Sequence, residues 1–257
     1  RLQNSLSAHC GSDAARTTAA QRAAQKMPLS HAAALDKLDA ILSSGALLSQ
    51  VQTRRTPLGE AEMLLETADD VFLYLGAFAY PDTECGFLFI PSVETDHADD
   101  AVATPFDSGA LACMKFVTPP APYTDGISFV RDHELPVADY RTLLGALMAD
   151  YSRSVDHHLF DPADFTCACG EARCHPFGLS GGDRRGATFE VRIPQRVPLR
   201  PPHLRAVFVR KGYELPGLSV LFALGITIER YEADNDADSF HALRQACVSF
   251  IQENLLS

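Results

Sequence analysis

GGDRRGATFEVRIPQRVPLRPPHLRAVFVR, residues 181–210, is the stretch on which the fold turns. A glycine-rich, basic turn runs into Phe189-Glu190-Val191-Arg192-Ile193. A proline-rich bridge follows, then a second apolar run over residues 204–209. Side chains alternate across a strand, so Phe189, Val191 and Ile193 share one face and Glu190 and Arg192 the other. A carboxylate on the open face of an otherwise buried strand is placed rigidly enough to work in a cleft. The plainer alternative is a surface Glu190–Arg192 pair on an edge strand, which contributes little.

Upstream, further strand patterns and helical patterns mix. Residues 71–75 (VFLYL) and 86–90 (GFLFI) read as buried strands, ended by Gly76 and Pro91. Residues 17–27 are alanine-rich and helical, with Pro28 as the break. Leu35, Leu38, Ile41 and Leu42 recur at helical spacing up to Gly45, with Ser30 as N-cap and His31 at the helix entry. Residues 51–56 form a polar connector holding Arg54 and Arg55, and a helix over 57–67 follows with Pro57 in its first turn. Residues 92–101 are acidic and expected at the surface. Residues 104–109 are turn-rich and lead into an apolar run. Residues 137–155 carry the helical stripe Tyr140, Leu143, Leu144, Leu147, Met148 and Tyr151. Downstream, residues 226–231 alternate as a strand, and a last helix begins at Asp238 or Ser239. With no regular strand–helix–strand rhythm, the expectation is α+β, one domain with a split, mixed sheet flanked by helices. Its boundaries are a tail and short helix over 1–28, then one domain over 29–257 ending in a strand–helix extension.

The chain has 257 residues, 46% hydrophobic and 21% charged, enough to bury a real core. It holds no run of about 18 apolar residues, so no membrane span is expected. It starts at Arg1 without a secretory pattern, as a chain trimmed or cut from a longer one would, and a cytoplasmic location is the expectation. The net charge of −11 opposes passive binding to a phosphate backbone. Against that, Arg184, Arg185, Arg192, Arg196, Arg200, Arg205, Arg210 and Lys211 fall close together, as a phosphate-binding patch or as solvated loop arginines.

Three chemistries stay open. Cys167, Cys169, Cys174 and His175 supply four zinc-type ligands, although all fall within nine residues rather than in two separated pairs. A structural zinc there would make the chain a non-catalytic interaction module. Cys169 or Cys174 beside a histidine would instead give a cysteine-dependent hydrolase. The third chemistry joins scattered pieces: His31 ahead of Ile-Leu-Ser-Ser-Gly-Ala-Leu, Tyr74 on a central strand, Glu190 in Phe-Glu-Val-Arg-Ile-Pro, and the later strand Leu-Arg-Ala-Val-Phe-Val.

That order, over roughly residues 29–210, resembles the ADP-ribosyltransferase superfamily, in particular its His-type branch and toxins of the DarT kind. The resemblance implies NAD as substrate and a macromolecular acceptor, nucleic acid or protein. It implies a toxin or phage-defence setting with a neutralising partner. His31 would hydrogen-bond the adenosine ribose, Tyr74 would hold the nicotinamide end, and Glu190 would be the catalytic glutamate. Arg54, Arg184 and Arg185 are candidates for the pyrophosphate by charge and position. Two positions depart from the family pattern. Ala33 stands where a Thr or Ser often follows the histidine. Thr188 stands where a second acid or Gln often precedes the glutamate, which disfavours arginine as acceptor. The first departure leaves a degenerate, non-catalytic relative open.

Overall fold

The computed structural model describes residues 14–54, 57–78, 80, 83–97, 99–113, 119–151, 188–233 and 236–255. They form an α+β structure around one large mixed sheet. In chain order the elements are α1 (Ala14–Lys26), β1 (Leu29–Ala33), a short 3-10 turn (Leu35–Lys37), α2 (Leu38–Ser44), β2 (Ala46–Leu48) and α3 (Glu60–Leu65). Then come β3 (Asp70–Leu75), β4 (Cys85–Phe89), α4 (Ser92–Thr95), β5 (Val102–Thr104), α5 (Ser108–Ala112), α6 (Gly126–Asp132), β6 (Leu135–Pro136) and α7 (Val137–Tyr151). The last are β7 (Glu190–Pro194), β8 (Arg196–Pro198), β9 (Leu204–Arg210), α8 (Pro216–Ala223), β10 (Thr227–Tyr231) and α9 (Asp236–Asn254).

The large sheet runs β10-β9-β4-β1-β3-β7-β5-β6, and β2 pairs with β8 in a small second sheet. All the large-sheet pairs are antiparallel except β9 with β10. One row of directly opposed residues crosses it: Ala206, Leu88, Ser30, Tyr74, Glu190 and Thr104. Opposed residues point to the same face. At the β9–β4 end that face is apolar, and α9 covers it with Leu243, Cys247, Phe250 and Ile251. Phe78 packs there too. A Cβ at position 86 would fall 2.1 Å from its Cζ, so only glycine lets the ring lie on β4. At the β3–β7 end the same face turns polar, and there the cleft opens. The opposite face carries Leu29, Leu73, Phe87, Val191 and Val207 into the main core, where α1 and α7 add Ala20, Ala24, Leu144 and Leu147.

Three expectations are corrected. Residues 29–33 are a strand, not a helix entry: β1 is inserted between β3 and β4, and pairing on both sides overrides the helix-forming Leu and Ala. Ser30 is therefore not an N-cap; its hydroxyl donates to the Tyr74 carbonyl at 3.2 Å. The helical spacing applies only from Leu38, and Gly45 stops it in the left-handed region at φ 67°. Second, the acidic 92–101 segment is not wholly at the surface. Val93 and Glu94 are buried, and Glu94 is paired with Arg141 at 2.5 Å. Third, Glu190 and Arg192 share a face as the alternation requires, but β7 lies between β3 and β5 and both side chains are buried, so they are not a solvated edge-strand pair.

Candidate active site

β1 and β3 stay in register over only two residue pairs, Leu29 with Leu75 and Ser30 with Tyr74, whereas β1 and β4 match over five. Past Ser30 the two strands part. The Phe72 carbonyl, left without a ladder donor from β1, accepts a hydrogen bond from His31 Nδ1 at 2.8 Å. Because a carbonyl only accepts, the proton of the neutral ring sits on Nδ1 and Nε2 carries the lone pair. Burial pushes the His31 pKa below its usual value, opposed by the Phe72 bond. At neutral pH the ring is thus an uncharged acceptor.

His31 lines a cavity of about 440 Å³ together with Tyr74, Tyr80, Asp107, Ser108 and Glu190. A second cavity of about 750 Å³ adjoins it, sharing His31 and Phe72 and bounded by Lys37, Ser44, Gln50 and Asp70. Both volumes are of the size that small-molecule sites take. The two lobes meet at His31, and this suits an elongated ligand recognised at both ends.

Glu190 is 1% exposed at the floor of the smaller lobe. Ser108 Oγ donates to its Oε1 at 2.5 Å, and Arg192 Nε stands 3.8 Å from the same oxygen. Burial, and next the charge of Asp107, push its pKa from 4.5 up to about 8, against the pull of Arg192 and the Ser108 bonds. Tyr74 stands directly opposite Glu190 on β3, and its ring lies 4.6 Å from that of Tyr80, centroid to centroid. Burial, then the Glu190 and Asp107 charges, raise the Tyr74 phenol well above its usual range, so it remains a neutral donor. Asp107 caps α5 by accepting from the Ala110 N–H at 2.8 Å, and its other oxygen accepts from the Tyr80 hydroxyl. The site is thus a buried carboxyl, a second carboxyl on a helix cap, an aromatic pair and a neutral histidine.

Of the residues singled out from sequence, His31, Tyr74 and Glu190 come together in one cavity. Arg54 does not join them: it is exposed, in a turn at φ 54°, and is not among the residues bounding either cavity. Arg184, Arg185, Cys167, Cys169, Cys174 and His175 lie outside the described residues, and with them both the zinc and the cysteine readings. Among the described residues no group of three or more His, Cys, Asp or Glu is placed to hold a metal. The thiols of Cys85 and Cys247 are buried, and burial raises both to about 12, so they stay protonated and inert. Asp107, Ser108 and Tyr80 complete the cavity and carry no sequence signal of a site. Residues 104–109 read as a turn leading into an apolar run, where Asp107 in fact caps α5, and nothing local says that this helix start faces a strand eighty residues on.

No protein-family model matches the chain, and no curated protein matches it either. Among solved structures it is similar to a DarT from Thermus sp. 2.9 in complex with NAD+, at 12% identity and a TM-score of 0.42, over 79% of this chain and 94% of that one. It is likewise similar to Thermus sp. 2.9 DarT in complex with ADP-ribosylated single-stranded DNA, at 12% identity and a TM-score of 0.43, over 79% of this chain and 93% of that one.

Proposed function

We propose that this chain is an NAD-dependent ADP-ribosyltransferase, with Glu190 as its catalytic carboxylate and a macromolecule, nucleic acid or protein, as acceptor. The observation that carries the reading is convergence. His31, Tyr74 and Glu190 come from three distant stretches, each marked by its own short phrase, and meet around one cleft on adjacent strands.

The chemistry of the cleft fits the reaction. His31 Nε2, a neutral acceptor at the junction of the two lobes, takes a ribose hydroxyl. The Tyr74–Tyr80 pair offers aromatic faces to the nicotinamidium ring, whose positive charge aromatic faces attract. The bond from ribose C1′ to the nicotinamide nitrogen breaks with its electron pair leaving on nicotinamide. C1′ becomes oxocarbenium-like, and ionised Glu190 stabilises that charge. The acceptor nucleophile bonds to C1′ and gives up a proton, which the carboxylate accepts. Resting Glu190 is largely protonated at neutral pH, and a bound nicotinamidium cation draws its pKa down toward the working range. A toxin or defence role, a neutralising partner and a cytoplasmic location belong to the same reading. No helix among the described residues is long and apolar enough to cross a membrane.

The test is nicotinamide release from NAD, wild type beside Glu190→Gln, each checked for folding by circular dichroism. The wild type releases nicotinamide, and the variant loses about 10²–10³-fold, the usual cost of removing one stabilising group. Equal release from a folded Glu190→Gln protein would overturn the assignment.

A further inference from the structure

Arg192 is a buried cation only partly spoken for. It follows Glu190 by two residues on β7, shares its face and is 4% exposed. One guanidinium nitrogen donates to Glu134, just ahead of β6. Its Nε is buried without a hydrogen-bond partner among the described residues, and stands 3.8 Å from Glu190 Oε1. A buried donor without a partner is costly, so an acceptor within reach matters.

We infer that Arg192 is a positioning residue for Glu190: its guanidinium is divided between Glu134 and Glu190, and its open Nε takes the Glu190 carboxylate when that group ionises. The inference rests on the reading of Glu190 as the reacting carboxylate. In the resting arrangement Ser108 holds Oε1 at 2.5 Å. Ionisation places a full charge on a carboxylate that Nε already faces. Closing that gap to about 2.9 Å turns a loose pairing into a charge-assisted hydrogen bond, and satisfies the orphaned N–H in the same step. The carboxylate would then be fixed from two sides, by Ser108 on α5 and by Arg192 on its own strand. Glu134 opposes this by drawing the guanidinium the other way.

Among the described residues Arg192 is the decisive cation for Glu190. Asp107 and Ser108 face Glu190 from α5, Tyr74 from β3, Tyr80 from the segment after β3, and Thr104 from β5. Glu62 of α3 and His31 of β1 line the same cavity, and Asp70 acts on Arg192 from the start of β3. Among these groups the acids disfavour an ionised Glu190, the hydroxyls are neutral, and burial keeps His31 uncharged.

The experiment reads the Glu190 carboxyl directly, by pH-difference infrared spectroscopy without NAD, with Glu190→Gln to identify its band. Glu134→Gln, at a side chain 33% exposed, leaves Arg192 in place and is the safe variant. Releasing the guanidinium should lower the Glu190 midpoint by about half a unit or more, and Arg192→Gln should raise it by about one, in the range an opposite charge at this distance commands. Arg192→Lys should recover part of that shift. In turnover, the low-pH limb of kcat should move with the midpoint. A midpoint unmoved in Glu134→Gln overturns the inference even where turnover is normal. A midpoint that moves in a protein that never releases nicotinamide keeps the Arg192–Glu190 coupling and removes the enzymatic reading.

Discussion

A carboxyl shut away from water beside a second carboxyl holds its proton to higher pH than one in solution, and Glu190 does so up to about 8. The consequence for stability has a definite sign. Between the unfolded value of 4.5 and about 8, the folded state binds more protons at this position than the unfolded state, so its contribution weakens as pH rises. Glu190→Gln removes the charge and keeps the shape. Its melting temperature should match the wild type at pH 5 and exceed it at pH 9, by about 3 °C for each kcal/mol regained in a chain of this size. A difference independent of pH, followed by calorimetry, would contradict burial as the cause. His31 supplies a second test. Asparagine at position 31 can still donate to the Phe72 carbonyl from near the Nδ1 position, but offers nothing at Nε2. Under the proposed function, His31→Asn should keep the melting temperature within a few degrees and raise the NAD KM about tenfold, the scale of one lost hydrogen bond. An unchanged KM would remove His31 from ligand binding.

At the level of elements, α5 does more for the site than its five residues imply. Its cap, Asp107, holds the helix start through Ala110, holds Tyr80 through the phenol, and sets a negative charge toward Glu190. Asp107→Asn keeps an acceptor for the cap and removes the charge. It should cost no more than about 1 kcal/mol of stability while lowering the Glu190 midpoint, read by the same infrared titration. A midpoint that rises would mean that Asp107 does not act through its charge. This element also marks where the sequence stops being legible. Strands β3, β4, β9 and β10 stand out as apolar or alternating runs, and Gly45 ends α2 where a left-handed residue is required. Those signals are local. The residues Leu29–Ala33 carry a helical signal because Ala and Leu favour helix, and only pairing with β3 and β4, dozens of residues away, makes them a strand. Glu94 is a similar case: an acidic run reads as surface, and its partner Arg141 lies 47 residues further on. His31, Tyr74 and Glu190 were legible as separate marks. The register of β3 on β7 sets Tyr74 opposite Glu190, and the parting of β1 from β3 after Ser30 lets His31 reach the same cavity; no one of the three stretches encodes either.

For the whole molecule, the question is what holds the sheet to the helical layer behind it. Much of the answer is one buried polar cluster. Arg141 on α7 donates to both carboxylate oxygens of Glu94, at 2.9 and 2.5 Å, and to the Ala24 carbonyl of α1 at 2.5 Å; the Tyr140 hydroxyl also donates to Glu94. A single guanidinium thereby ties α1, α4 and α7, and α4 follows directly on β4. Around it, Ala20, Ala23 and Ala24 of α1 are at most 2% exposed and belong to the same core as the sheet. The N-terminal helix therefore packs as core, and its alanines are small because α7 approaches closely. Two perturbations separate the polar from the apolar part of this junction. Arg141→Met leaves the Glu94 carboxylate buried and short of its partner, a change that costs about 3–5 kcal/mol. Adding Glu94→Leu removes the stranded charge, and the double variant should recover most of the loss, because a buried pair replaced by apolar groups is often neutral. Ala24→Asp, which forces a charge into the alanine contact, should destabilise although the pair is intact. Chemical denaturation of the three proteins and the wild type decides the matter. Recovery in the double variant identifies Arg141–Glu94 as a device that fixes the arrangement of three helices more than it stabilises them. No recovery would mean that the tie to Ala24 itself carries the energy, and that the helical layer, and with it the back of the sheet under the cleft, hangs on that one bond.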